Sequence, residues 1–480
     1  MKINNNYRLF AIVSLLFIMG CSSGNETEGE TTQYNLSIVA NPSEGGSFSP
    51  ESGKYDEGSS INIQASPSNG YSFKEWIGSI QSEENPVMVT MDSNKNITAV
   101  FEEIIEECDR GTIQGDVWLK TQEQIDAFGL MCYTQINGSL LLLNDFTNPV
   151  SGPAISDLSP LSSLRIIQGE IRIASGLLED LTGLENIRSA TGISITAPSL
   201  ASFTGIENLI DETISSNMED FSIRISDCHN ITSLKIFDGI KRLKILSITQ
   251  MDSLESLEGL NSLEKVTELL QFSFLTAMTS FNNLDNLKRV DKAVSLSNLN
   301  TFSSLSGLEN LESVGELVQI VSNSGLTSLG GIESLEGVVN IIIGNNVSLS
   351  SLSGLNTASS GITIDNNDSL TNLSGMNFGE SPTLYMEISD CDGLTNLSGL
   401  EELIEIERLQ ILDNPSLVSL SGLDNVNRVA NFIVVNNNRE LRNFCALTNL
   451  FQSNGLSGSW DVNGNFINPS FQDMNDGRCE

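Results

Sequence analysis

LEDLTGL (178–184), LESLEGL (254–260), LSSLSGL (349–355), LTNLSGL (394–400) and LVSLSGL (417–423) are one phrase, L-x-x-L-x-G-L, written five times. With its glycine as reference, the phrase recurs at 160, 183, 205, 236, 259, 283, 307, 331, 354, 375, 399, 422 and 446; Pro160, Ile236, Asn283 and Ala446 replace the glycine. Successive steps are 21 to 24 residues, apart from one of 31 between 205 and 236. Units repeating at that period describe a solenoid, in which each coil buries its neighbour. The long step marks an insertion near 210–217, expected as a surface loop. In the fourth unit Ile231, Leu234 and Phe237 form the apolar frame. Choosing Gly239 as reference instead leaves a step of 20 to Gly259, where Ile236 leaves 23.

Before each phrase lies a short strand with two inward apolar residues: Ile341/Ile343, Ile362/Ile364, Met386/Ile388, Leu409/Ile411 and Ile433/Val435. Three residues on come Asn346, Asn367, Cys391, Asn414 and Asn438, with Cys228 earlier. An asparagine there can turn inward and bond the backbone of the adjacent coil, where no sheet ladder reaches. Cysteine is a small substitute that tolerates burial. Cys228 and Cys391 lie seven coils apart, ~34 Å at ~4.8 Å per coil, so they are expected as unpaired structural thiols.

Strand alternation then assigns the outer face. Its positions read Leu269/Gln271, Ala293/Ser295, Leu317/Gln319, Asn340/Ile342, Gly361/Thr363, Tyr385/Glu387, Arg408/Gln410 and Phe432/Val434. Only Arg408 and Glu387 are charged among these sixteen, in a chain with 24 Lys+Arg against 61 Asp+Glu and a net charge of −37. A low-charge sheet suits recognition, because charge must be desolvated on contact; Ser, Gln and Thr also simply suit a solvated strand. Tyr385, Arg408 and Phe432 stand on successive coils and are the candidate ligand anchors for a glycan or a protein.

The remaining chemistry is mostly exclusion. An acidic surface repels phosphate backbones, so no nucleic-acid partner is expected. The single histidine, His229, removes Ser-His, Cys-His and multi-His metal mechanisms. A glycosidase needs paired carboxylates, and the outer positions supply Glu387 alone, so the chain reads as a non-enzyme without cofactor. Asp365-Asn366-Asn367-Asp368 offers oxygen ligands for Ca²⁺ but lacks EF-hand spacing and equally suits a polar turn.

At the start, Lys2 and Arg8 precede an apolar run at 9–19, too short for a mature membrane span. The run ends in Ile18-Met19-Gly20-Cys21, which resembles the lipobox of bacterial lipoproteins. The resemblance implies a signal peptide at 1–20, acylation of Cys21 and attachment to the membrane through the lipid alone. The mature chain then keeps 22 basic residues against 61 acidic, a charge of −39. Residues 21–33 read as an acidic flexible tether. Acidic residues just behind the lipidated cysteine resemble surface-export signals and equally suit a plain spacer. The resemblance implies an outer-membrane lipoprotein facing the exterior, and export implies an oxidising compartment.

Residues 34–102 alternate with period two at Leu36/Ile38, Ile61/Ile63/Ala65, Val87/Val89/Met91 and Ile97/Ala99/Phe101, between turn clusters. That predicts a small antiparallel, β-grasp-like domain. Its Gly70-Tyr71, Phe73, Trp76 and Gly78 resemble the divergent internalin-type B-repeat, a stalk or weak binding module. Trp76 is expected as its core anchor rather than a ligand platform.

Residues 103–480 are then a right-handed parallel β solenoid of about 13 coils. They resemble leucine-rich repeats, and more closely receptor L domains, in the opening GTIQGDVWLKTQEQIDAFGLMCYTQINGSLLLL and in DLSPLSSLRIIQGEIRI. That resemblance implies terminal coils closed by disulfides, Cys108 with Cys132 and Cys445 with Cys479, and a ligand-binding role. The expected function is a lipid-anchored binding or adhesion protein, the alternative a glycan-capture lipoprotein of a nutrient-uptake system.

Overall fold

The computed structural model describes residues 31–103, 109–144, 153–216, 220–336, 338–355, 358–376, 378 and 384–480. The chain divides into two units at Glu107/Cys108. In the first, seven strands form two sheets: β1 (Gln33–Asn41), β2 (Gly46–Ser49), β3 (Gly53–Asp56), β4 (Ser60–Pro67), β5 (Tyr71–Gly78), β6 (Val87–Thr90) and β7 (Lys95–Glu103). The sheet orders are β3-β1-β7-β5 and β2-β4-β6. Pairing is antiparallel as expected, except that β1 and β7 run parallel. Sequence alternation cannot show this, because period two says nothing of strand direction. Trp76 is fully buried, donates its Nε1–H to the Glu84 carbonyl at 3.1 Å and packs 5.2 Å from the Phe73 ring.

The second unit is a parallel β solenoid of about 14 turns. Its ladder runs from Val117–Leu119 to Ser459–Asn463, with parallel pairing at every step. The terminal strands account for the excess over 13 leucine units: the first leads into helix Gln122–Gly129, the last into the C-terminal segment. All ten inward strand residues named above are buried. So are Ile231, Leu234 and Phe237 of the fourth unit, and Ile240 as well, so burial alone does not choose its frame. Gly259 chooses it: a Cβ there would lie 2.0 Å from the carbonyl oxygen of Leu234, two residues before Ile236. One on Gly205 would likewise lie 2.1 Å from that of Leu181, two before Gly183, and φ at Gly259 is +109°. Both features demand glycine. Gly239 also has positive φ, but a Cβ there meets only Ile214 at 3.4 Å.

The asparagines form an interior ladder, interrupted between Asn367 and Cys391 and longer than expected by Asn323 and Asn465. Asn323 and Asn346 donate their backbone N–H to Oδ1 of Asn346 and Asn367, at 2.9 and 3.1 Å. Cys391, Asn414 and Asn438 do the same toward Asn414, Asn438 and Asn465, at 3.0, 3.0 and 2.9 Å. Each amide also donates backwards; Asn414 Nδ2 reaches the Ile388 and Leu412 carbonyls. Cys391 keeps only the backbone link and points its thiol at the Ser389 carbonyl.

The insertion is not a loop: Glu207–Ser216 is a helix with Leu209, Ile210 and Thr213 buried. Leu209 and Thr213 stand four apart, and Ile210 and Ile214 repeat that spacing, so a stripe of one helix face meets the core. Burial of that stripe overrode the loop expectation. Cys445 and Cys479 are disulfide-bonded, and Cys228 and Cys391 are free and buried, as expected. Burial pushes their thiols up to about 11 and about 12, respectively. Cys132 is also held in a disulfide, while Cys108 and Cys21 lie outside the described residues.

Replacing Asn414 with leucine leaves the Cys391 amide and the Ile388 carbonyl buried without their partner. Each orphaned group costs ~1–3 kcal/mol. Asn414→Leu should therefore lower the denaturation midpoint strongly, and Asn414→Cys, which copies position 391, should lower it less. Equal midpoints for the two variants and the native chain would remove the ladder from the stability argument.

Candidate recognition face

The register aligns the outer residues into two columns. One runs Leu269–Ala293–Leu317–Asn340–Gly361–Tyr385–Arg408–Phe432, the other Gln271–Ser295–Gln319–Ile342–Thr363–Glu387–Gln410–Val434. Tyr385, Arg408 and Phe432 are thus brought onto three consecutive strands. Charge returns at the ends of the face: Glu170 accepts from Arg172 and Arg224 at 2.8 Å each, and Asp461 follows Val434 in its column.

Tyr385 is half-buried. The Arg408 guanidinium lies over its ring, 5.0 Å from the centroid, within cation–π range. The Tyr385 hydroxyl donates to the Glu387 carboxylate and accepts from Gln410 Nε2, the latter at 2.8 Å. Burial, and then the Glu387 carboxylate, push the Tyr385 hydroxyl above its ordinary pKa, so it stays protonated as a donor. Arg408 Nε is itself buried without a hydrogen-bond partner. Its nearest carboxylate oxygen, Oε1 of Glu407, is 3.6 Å away and already accepts from Asn431 Nδ2 at 3.0 Å. Phe432 is half-buried on the next coil.

Glu407 and Asn431 were not legible in the sequence. A register irregularity between Ile406 and Arg408 breaks the inward–outward parity at that corner, and such a bulge re-aims side chains. Asn340 was counted as an outer residue only. In the structure its Oδ1 lies 2.7 Å from where a Cβ on Gly361 would stand, and Tyr385 Cδ1 lies 3.7 Å from the same point. Glycine at 361 therefore lets the Asn340 amide and the Tyr385 ring edge approach one another across the intervening strand.

The Asp365–Asp368 turn is used differently from a cation cage. Asn367 points inward into the amide ladder, Asn366 adopts φ +52° and Asp365 Oδ1 accepts from Ser389 Oγ at 2.8 Å. Among the described residues no group of three or more His, Cys, Asp or Glu is arranged to hold a metal. His229 lies 3.1 Å from the Asp252 carboxylate. A depression of about 420 Å³ lies beside the inserted helix and is lined by Phe203, Glu207, Ile231 and Lys235 among others.

One column escaped the sequence reading. Asp227, Gln250, Phe274, Asn298, Ser322, Asn345, Asn366, Asp390, Asp413 and Asn437 all have φ between +51° and +65°. Each immediately precedes the position occupied by the ladder. Asn and Asp dominate because their short polar side chains tolerate the left-handed region. At Asp390 the acids crowd: burial, then Asp365, Asp413, Asp392 and Asp368, raise its pKa.

Residues 36–105 match the family described as the divergent InlB B-repeat domain. A search of curated proteins finds no match to the chain.

Because the raised Asp390 pKa means that its charged form is disfavoured in the fold, its contribution to stability is present below the unfolded carboxylate value and lost as pH rises through the raised one. Asp390→Asn keeps a residue suited to positive φ and removes the charge. It should raise the thermal midpoint at pH 7, with the gain shrinking in high salt and vanishing in acid. A midpoint unchanged at every pH would show that the repulsion is fully screened.

Proposed function

We propose that this chain is a lipid-anchored surface protein that binds its ligand through the outer face of the solenoid. The single observation carrying the reading is the Tyr385–Arg408–Phe432 cluster, set in a nearly uncharged face of a chain with net charge −37. Half-buried aromatics and a guanidinium without an Nε partner are the side chains that anchor interfaces. The chain order supports a role at the cell surface: lipobox-like Cys21, tether at 21–33, B-repeat domain, then solenoid. On this reading the anchor places the protein in the outer membrane facing the exterior. The repeat of the solenoid resembles leucine-rich repeats of the receptor L-domain kind, whose coils present ligand-binding faces. Adhesion is the leading role. Capture of a glycan for nutrient uptake is the second, favoured by the amide-rich outer columns. Catalysis is the weakest, since Glu387 is the only carboxylate in the two columns across these eight coils, and fold alone licenses no chemistry.

Two measurements test the proposal. Cys21→Ser should release the protein from the membrane fraction or leave it unprocessed, and absence of lipid label on the native protein would defeat the anchoring argument. On cells displaying the full chain, Tyr385→Ala with Phe432→Ala should abolish adherence while the thermal midpoint stays within a few degrees. Unfolding of the double variant would assign the rings to the core. Normal adherence by a folded double variant would move the site, with the depression beside helix Glu207–Ser216 next in line.

A further inference from the structure

We infer that the patch around Tyr385 binds a neutral, hydroxyl-rich glycan; the inference rests on the reading of the outer face as a binding surface. Its groups have specific unmet capacity. Arg408, whose side chain is partly exposed, turns its guanidinium over the Tyr385 ring and has no hydrogen-bond acceptor at its buried Nε. Tyr385 uses its hydroxyl to hold Glu387 and Gln410 in place, which leaves the second carboxylate oxygen and the Gln410 carbonyl to accept from outside. The Asn340 amide leans in over Gly361 beside the same ring. Donors and acceptors are thus interleaved within two or three coils around aromatic rings. Sugar rings present the matching chemistry, with hydroxyls that both donate and accept and C–H faces that pack on aromatic surfaces.

Charge decides against the other ligand classes. Glu387 and Glu407 stand against Arg408 alone in the patch, and the whole chain carries −37. An anionic polymer meets repulsion both locally and at long range, whereas a neutral polyol meets neither. A protein partner needs an apolar interface core depleted in charge. Here the two aromatics are half-buried and separated by a guanidinium, with carboxylates on either side.

The test uses the full chain, retarded in native gels by soluble neutral polysaccharides (starch, β-1,3-glucan, xylan and galactomannan, each alone) with polygalacturonate as the anionic arm. At least one neutral polysaccharide should retard the protein, with little dependence on salt. Tyr385→Ala should weaken that binding about thirtyfold, the usual cost of removing an anchor, at an unchanged thermal midpoint. Arg408→Gln removes the partly exposed guanidinium and keeps the test decisive if Tyr385→Ala fails to fold. Retardation by none of the neutral polysaccharides, by polygalacturonate alone, or equally in native and Arg408→Gln protein overturns the inference. Protein-coated surfaces that hold the native chain but not the Tyr385/Phe432 double variant would leave the binding face standing and defeat only the glycan assignment.

Discussion

The hydrogen bond from the backbone N–H of one coil to an inward asparagine on the next is the constraint on which the rest depends. A solenoid turn leaves backbone donors that no sheet can reach, and burial makes each of them costly. The donors of Leu299, Asn323, Asn346, Cys391, Asn414 and Asn438 are met by an asparagine side-chain carbonyl one coil on, and the series is interrupted at Asn367, where the next coil carries Cys391. The bond fixes where each strand ends relative to the next, and so holds the outer columns in register. Earlier coils solve the interior differently. Met251, Leu275 and Leu299 occupy the equivalent position, and nearby Phe272, Phe281 and Phe302 stack at 5.3 and 4.8 Å. The Tyr385 cluster lies on the coils governed by the amide ladder.

Electrostatics follows from the same geometry. Residues one period apart stand above one another, so Lys235–Glu258, Lys241–Glu264, Lys265–Asp291, Lys288–Glu312 and Lys292–Glu268 pair across neighbouring coils. Exposed pairs each contribute little. Their effect is distributional: the scarce cations are matched with acids at the coil corners, and the middle of the outer face is left nearly uncharged. Where no cation is available, as around Asp390, acids stack on acids and the carboxyl becomes harder to ionise.

What was legible in the sequence is what the period dictates. Leucine, strand and asparagine positions all repeat at 21 to 24 residues, so inward and outward sets could be named residue by residue. The unread parts break or hide that period. Helix Glu207–Ser216 is unique to one coil, and the irregularity at Ile406/Arg408 reverses parity over a single residue, too short for any pattern to show. Asn465 was missed because its coil has no leucine phrase. The left-handed column was hidden by its mixed composition: Asn and Asp mark it, but Gln250, Phe274 and Ser322 do not. In the candidate site, the positions of Tyr385, Arg408 and Phe432 followed from the repeat. Their interactions did not, since hydrogen bonds between columns depend on rotamers.

Tyr385 joins the two levels. Its ring adds little to the leucine core, yet it is not a free surface side chain, because Glu387 and Gln410 hold its hydroxyl and Arg408 covers a face of its ring. Such a residue loses little conformational freedom on binding, and preorganisation of this kind lowers the entropic cost of association. A solenoid is well suited to supply it. Its stability is approximately a sum over coils and their interfaces, so an outward triad on three coils can be rearranged without disturbing the interior ladder beneath. On the proposed reading, recognition and folding are carried by opposite faces of the same strands. The residues proposed to meet the ligand are those on which the fold depends least.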